Sequence, residues 1–161
     1  MKEALKSFQR IIVAYDDSPA SREALSAGIE LCKALGTPLD TVTVIEPPPA
    51  YSAFVVAAGP EAAQGLEWDR RQHYREIMEL AVAEGRRHSI EVTGNLVEAG
   101  EVDGVISFLR AKRADLLVVG LRQHSSHLAR LWSTVSNLGH EAPCSVLAVR
   151  PGPAEQNWNE I

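Results

Sequence analysis

Residues 115–150 read DLLVVGLRQHSSHLARLWSTVSNLGHEAPCSVLAVR, and they carry the strongest indication of the fold. An apolar run over 116–119 ends in Gly120 and is followed by a polar loop. Apolar residues at helical spacing come next, and a second apolar run, Ser145–Val149, ends the stretch. This order predicts a strand, a loop that starts with glycine, a helix and another strand. Backbone N–H groups converge at such a junction, and an anion can bind there.

The same alternation extends toward the N-terminus. Residues 11–15 form a continuous apolar run, which is typical of a strand buried on both faces. Ser18 and Pro19 predict the start of a helix that Gly36 ends. The remaining predicted elements are strands over about 40–45 and 90–97, a helix over about 61–88, and two further helices whose apolar faces span residues 102–109 and 128–138. The pattern predicts an α/β fold: an open, five-stranded parallel sheet with helices on both faces.

Parallel sheets of this kind bind ligands outside the carboxyl ends of their strands, where the strand order reverses. In this chain that rule places Asp16, Val44 and Gly120 around one crevice. Residues 46–60, which include three consecutive prolines, predict an irregular connection that is functional, packed against a partner, or mobile.

Length and composition predict a single domain over residues 1–161, with its core in 8–150 and a flexible tail over 151–161. A net charge of -5 argues against nucleic acid as the main partner. The apolar runs are too short for a membrane span, and Cys32 and Cys144 lack metal-site spacing, so we expect free thiols in a reducing, cytoplasmic setting.

Four segments resemble the universal stress protein family: IIVAYDDSPASREAL at 11–25, VTVIEP at 42–47, VEAGEVDGVISFL at 97–109, and the stretch quoted first. The resemblance covers about residues 8–150 and implies a Rossmann-like α/β fold. It also implies a regulatory or stress-response protein that is not an enzyme, with at most slow, incidental ATP hydrolysis. Nucleotide-binding members hold an adenine nucleotide, AMP or ATP, with or without magnesium.

The resemblance also implies a role for individual residues. Asp16 would approach the ribose and the phosphate–metal region, and the backbone of Val44 would read the adenine base. Gly120 would let the chain approach the ribose and phosphates. The remaining positions implied to cover the phosphates, through N–H groups and one hydroxyl, are Ser133, Thr134 and Val135.

The family's loop reads glycine, two residues, glycine, nine residues, glycine, then serine or threonine. This chain keeps Gly120 and Thr134 but has Gln123 and Ser133 at the other glycine positions. Gln123 is the damaging change, because glycine alone adopts positive φ and allows close backbone approach. Arg122 and Arg130 lie in or beside the same loop, and either of them can compensate through a charge-assisted contact to a phosphate.

Two functions remain open from the sequence. One is a nucleotide-responsive regulator; the other is a ligand-free interaction module, whose arginine-rich loop and apolar 50–57 segment contact another protein. A response-regulator receiver is disfavoured, since no aspartate ends the third predicted strand despite the Asp16–Asp17 pair. The His124–His127 pair lacks a third ligand nearby, so no metal site is predicted.

The last predicted strand, Ser145–Val149, carries no charged side chain. An uncharged edge strand favours pairing with a second copy, so we expect a homodimer through this strand.

If the protein binds a nucleotide, the sequence predicts that Gly120→Val abolishes stabilisation by nucleotide, because the valine side chain would exclude the ligand sterically.

Overall fold

In a computed structural model of the protein, residues 8–46, 57, 59–121 and 128–152 are described, with only the backbone described over 128–134. Strands and helices alternate along the chain. Their order is β1 Ile11–Ala14, α1 Pro19–Leu35, β2 Leu39–Ile45, α2 Pro60–Arg87, β3 Val92–Glu98, α3 Glu101–Lys112, β4 Leu116–Gly120, α4 Leu128–Glu141 and β5 Ser145–Val149.

All five strands pair in parallel, in the order β3-β2-β1-β4-β5. The predicted α/β fold is therefore confirmed. β1 lies at the centre: the chain builds outward from it to β2 and β3, then crosses to β4 and β5 on the other side. The order reverses between β1 and β4, and β5 forms one edge of the sheet, as the sequence predicts.

Two apolar cores cover the two faces of the sheet. Ile11 and Val13 of β1 point into a core with α1 and α2, while Ile12 points into a core with α3 and α4. All three side chains are at most 1% exposed. Burial on both faces explains why the strand is a continuous apolar run rather than an alternating one.

The ends of α1 follow from its terminal residues. The Ser18 hydroxyl accepts a hydrogen bond from the Ser21 N–H at 3.2 Å, and Pro19 occupies the first turn. Gly36 adopts a left-handed conformation, φ 67°, that ends the helix. Both predicted boundaries are confirmed.

The junction of α2 and β3 differs from the prediction, because β3 begins at Val92 and not at residue 90. The N–H of Ile90 donates to the carbonyl of Gly85 at 2.9 Å, and so satisfies the C-terminal end of α2 instead of the sheet. Ser89 has φ 58°, which turns the chain between the two elements. Ile90, an apolar residue just before the strand, therefore forms part of the C-terminal end of α2.

Most of the predicted irregular connection over 46–60 lies outside the described residues, as does the tail beyond 152. In the part of the chain that the structure describes, none of the helices combines the length and the apolar character needed to cross a bilayer.

Candidate functional site

The strand order places the candidate site at the carboxyl edge of the sheet, beside the reversal between β1 and β4. The β1–β2 ladder ends at the pair Ala14 and Val42, and the β1–β4 ladder ends at Val13 and Val118. Both neighbours continue past β1, so their ends lie on either side of the point where β1 stops. We call the region bounded by the ends of β1, β2 and β4 the crevice.

Asp16 lies at the end of β1, where its side chain is exposed. Its carboxylate Oδ1 accepts a hydrogen bond from the Ser18 N–H at 3.1 Å, and its own N–H donates to the Ser21 hydroxyl at 3.3 Å. These bonds tie the residue to the first turn of α1. The structure thus presents the carboxylate at the crevice in a fixed turn, where a ribose hydroxyl or a cation is a suitable partner.

Asp17 has a different role from its neighbour. Its φ is 61°, a left-handed conformation that aspartate tolerates better than most residues. Its carboxylate accepts hydrogen bonds from the Tyr15 hydroxyl and the Arg22 Nε, both at 2.9 Å. The Asp17 carboxylate is therefore engaged with Tyr15 and Arg22, and it stabilises the turn.

The pKa values of this network follow from its contacts. Burial, followed by the hydrogen bond to Asp17, raises the pKa of Tyr15 to about 12. The hydrogen bond from Arg22 is the main cause that lowers the pKa of Asp17. Tyr15 thus stays a neutral donor and Asp17 an ionised acceptor at neutral pH, which keeps the turn intact.

Val44 lies where β2 extends beyond β1. The N–H of Tyr15 donates to the carbonyl of Val42 at 3.0 Å, so Val42 faces β1. Because peptide groups alternate sides along a strand, those of Val44 face the same side, which β1 has already left. The valine side chain packs away from this edge, with its Cγ1 3.3 Å from where a Cβ on Gly104 would lie. The backbone edge of Val44 can therefore pair with a planar donor–acceptor ligand such as a nucleobase.

Gly120 ends β4, and its surroundings give it a packing role. A Cβ at this position would overlap the carbonyl group of Ala20 and lie 2.8 Å from the Ser21 nitrogen. All three atoms belong to the backbone of the first turn of α1, so none of them moves aside easily. The glycine is required for the helix to approach the sheet, whatever binds in the crevice.

The predicted phosphate loop is only partly described. Arg122 and Gln123 lie outside the described residues, so their roles stay predictions. Ser133, Thr134 and Val135 lie past the first turn of α4, which begins at Leu128. Helical N–H groups at such positions already donate to the carbonyl four residues earlier. Their predicted contacts to phosphate need a helix that starts later, and Val135 itself packs against the second core.

The histidine pair at 124 and 127 also lies outside the described residues. Over 8–46, 59–121 and 128–152, no group of three histidine, cysteine or acidic side chains is arranged to hold a metal ion. The cysteines are both free: Cys32 is buried and Cys144 is half-buried. Burial raises the pKa of both thiols, which keeps them protonated and unreactive.

Comparison with known proteins gives a consistent result. The model of the universal stress protein family matches residues 7–150 of this chain. The chain is 30% identical over 146 residues to universal stress protein A homolog 1 of Coxiella burnetii, which covers 88% of this chain and 96% of that protein.

Solved structures are similar in fold. The universal stress protein UspA of Lactobacillus plantarum superposes with a TM-score of 0.72 at 18% identity, over 91% of this chain and 100% of that one. A universal stress protein family protein of Arabidopsis thaliana, solved with AMP bound, gives a TM-score of 0.67 at 15% identity, over 94% and 97% of the two chains.

Proposed function

Because the chain belongs to the universal stress protein family, we propose that it is a non-catalytic regulator that binds an adenine nucleotide in the crevice. The observation that carries the proposal is the position of Val44, which lies two residues beyond the last β1–β2 pair with its peptide groups on the β1 side. A backbone N–H and C=O on one strand edge match the acceptor–donor edge of adenine. The fold shared with the AMP-bound Arabidopsis protein supports this ligand class.

The nucleotide would lie across the strand reversal, with the base at Val44 and the ribose near Asp16. The phosphates, of AMP or of ATP with or without magnesium, would then lie toward the end of β4 and the start of α4. The start of a helix that follows a strand is a favourable place for an anion, and α4 follows β4 along the chain. The predicted contacts from Arg122 and from the Thr134 hydroxyl remain part of this proposal, whereas those from the N–H groups of Ser133, Thr134 and Val135 would need α4 to begin later than Leu128.

Thermal denaturation with AMP, ATP and magnesium tests the proposal. A ligand that binds only the folded state at 100 times its Kd stabilises it by about 2.7 kcal/mol, which raises the Tm by several degrees. We expect that rise with millimolar AMP and none with ribose 5-phosphate, which lacks the base. An unchanged Tm with every adenine nucleotide would contradict the proposal.

A ligand-free interaction module is the second candidate function. It is favoured by an exposed apolar pair on α2, where Trp68 is 68% exposed and Leu66 is 45% exposed. Exposed large apolar side chains on one element are typical of protein contact surfaces. An unchanged Tm with nucleotide, together with loss of partner capture in Trp68→Ser, would favour this function.

We also propose that two copies pair through β5 in the cytoplasm. The strand lies at the sheet edge, it carries no charged side chain, and Leu147 is 39% exposed. Free cysteines are consistent with a reducing compartment. Light scattering at micromolar concentration should give twice the chain mass for the wild type and for Leu80→Asp, and a single chain for Leu147→Asp. A monomeric wild type would contradict the pairing.

A further inference from the structure

The N-terminal half of α2 is joined to the carboxyl edge of the sheet by four charged residues, Glu67, Arg70, Arg71 and Glu98, which we call the α2 clamp. Arg70 donates from Nε and Nη2 to the Glu67 carboxylate at 2.9–3.1 Å and from Nη2 to Glu98 at 3.4 Å. Arg71 donates to the same two carboxylates, at 2.9 Å and 2.8 Å. Two cations and two anions thus form one network that spans α2 and the end of β3.

The two arginines differ in one contact. Arg70 also donates from Nη1 to the carbonyl oxygen of Glu46, the residue that follows β2. The Arg70 side chain is 18% exposed and that of Arg71 is 53% exposed. Arg70 is therefore the member of the clamp that connects α2 to the end of β2.

The Glu46 carbonyl matters because of its place on the strand. Val44 lies two residues earlier, on the part of β2 that β1 no longer supports. A strand end with a neighbour on one side only is free to fray, and a frayed Val44 would present no ordered donor and acceptor. The guanidinium of Arg70 holds this segment just past that point, through a charge-assisted hydrogen bond.

We propose that Arg70 is a positioning residue for the candidate site: it fixes the free rim of β2, residues 44–46, so that the Val44 backbone is preorganised for the edge of a purine base. This inference rests on the proposed function and deepens it, since it names what determines base recognition. The carboxylate partners Glu67 and Glu98 are 39% and 46% exposed, and ion pairs to exposed partners contribute little stability. The main effect of the clamp is therefore on local order and on base discrimination.

Two matched variants, Arg70→Gln and Arg71→Gln, distinguish the effect of the Arg70–Glu46 hydrogen bond from the general effect of losing one positive charge. Each removes one positive charge from the same network, and only the first removes the bond to Glu46. Hydrogen exchange of the ligand-free proteins should show faster exchange over residues 44–46 in Arg70→Gln alone, with 11–14 unchanged as reference. Arg70→Lys, which keeps the charge, gives a second test should Arg70→Gln fold poorly.

Base discrimination is the second readout. IMP carries a carbonyl where AMP carries the amino group, so an ordered Val44 carbonyl should favour AMP. We expect the AMP-over-IMP preference to fall about fivefold in Arg70→Gln, the size of one hydrogen bond, and to stay at the wild-type value in Arg71→Gln.

The outcomes are distinct. Equal exchange over 44–46 in the two glutamine variants overturns the positioning role. Faster exchange in Arg70→Gln with an unchanged AMP-over-IMP preference overturns its role in base recognition. A wild type that binds no AMP contradicts the proposed function and with it the base-recognition role, while the exchange comparison still decides whether Arg70 orders the strand.

Discussion

The ends of β2 and β4 lie at the same edge of one parallel sheet, yet they are built in opposite ways. The end of β4 is closed: Gly120 lies against the backbone of α1, and the Leu121 N–H donates to the Val149 carbonyl at 2.7 Å. The end of β2 is open on the β1 side and is held from the α2 side by Arg70. The end of β4 therefore packs against the protein's own backbone, whereas the end of β2 leaves one backbone edge available to a ligand.

This difference changes how a glycine at a ligand crevice is interpreted. Glycine after a strand suggests close approach of a ligand, whereas here the close approach is that of a helix. Substitutions at the closed end should therefore affect folding first, and substitutions at the open end should affect local order and binding.

The largest effect is expected at the closed end. Gly120→Ala places a Cβ against the Ala20 carbonyl, so α1 must shift, and we expect a loss of about 3 kcal/mol in the free energy of unfolding. Gly65→Ala is the control, because nothing lies within 4 Å of its Cβ, and a helix interior favours alanine by about 1 kcal/mol. Urea unfolding of both variants checks the prediction, and equal stabilities would contradict it.

The sequence-based expectation for Gly120→Val is revised accordingly. A lost nucleotide effect in that variant would report a damaged fold and not steric exclusion of a ligand. Only a variant at the open end can test ligand exclusion without this ambiguity.

The turn after β1 supplies the next prediction, at alkaline pH. The pKa of Tyr15 is about 12 in the folded protein, against about 10 for an unfolded tyrosine. The unfolded chain releases this proton first, so the stabilisation is fully present below pH 10 and is lost as the pH rises to 12. The wild type should lose about 2 to 3 kcal/mol more than Tyr15→Phe over this interval. Denaturant titrations at pH 9 and pH 12 measure the free energy of unfolding of both proteins. If the wild type and Tyr15→Phe lose the same amount between these pH values, Tyr15 is not the cause of the alkaline destabilisation.

A smaller effect should distinguish two buried threonines of β2. The Thr43 hydroxyl donates to the Tyr15 carbonyl at 2.8 Å and joins the open end to the turn after β1. The Thr41 hydroxyl is equally buried and has no hydrogen-bond partner among the described residues. We expect Thr43→Val to destabilise by about 1 kcal/mol and Thr41→Val to be neutral or stabilising. The same sign and size for both variants in urea unfolding would contradict the assignment.

Most of the fold could be predicted from the sequence, because its determinants are local. Continuous apolar runs such as 116–119 indicate strands buried on both faces, and Ser18 with Pro19 marks a helix start. The start of β3 was misplaced because the Ile90 N–H binds the end of α2, a contact that no local pattern reveals.

The site was predictable only in part. The positions of Asp16, Val44 and Gly120 at one edge follow from strand order, which the alternation of elements supplies. The turn role of Asp17 and the clamp formed by Arg70 depend on contacts between residues distant in sequence or on backbone conformation. The excess of arginine and glutamate on α2 looks like an ordinary solvated helix face, so the sequence alone offered no reason to select Arg70.

The proposed function requires an adenine base to pair with the backbone edge of Val44. Titration of the ¹⁵N-labelled protein with AMP, followed through the amide resonances, measures this contact residue by residue. We predict that the Val44 amide shows one of the largest saturable shifts, while amides of the α2 C-terminal turn near Arg87 stay in place. Saturable binding that leaves the Val44 amide unmoved would contradict the account.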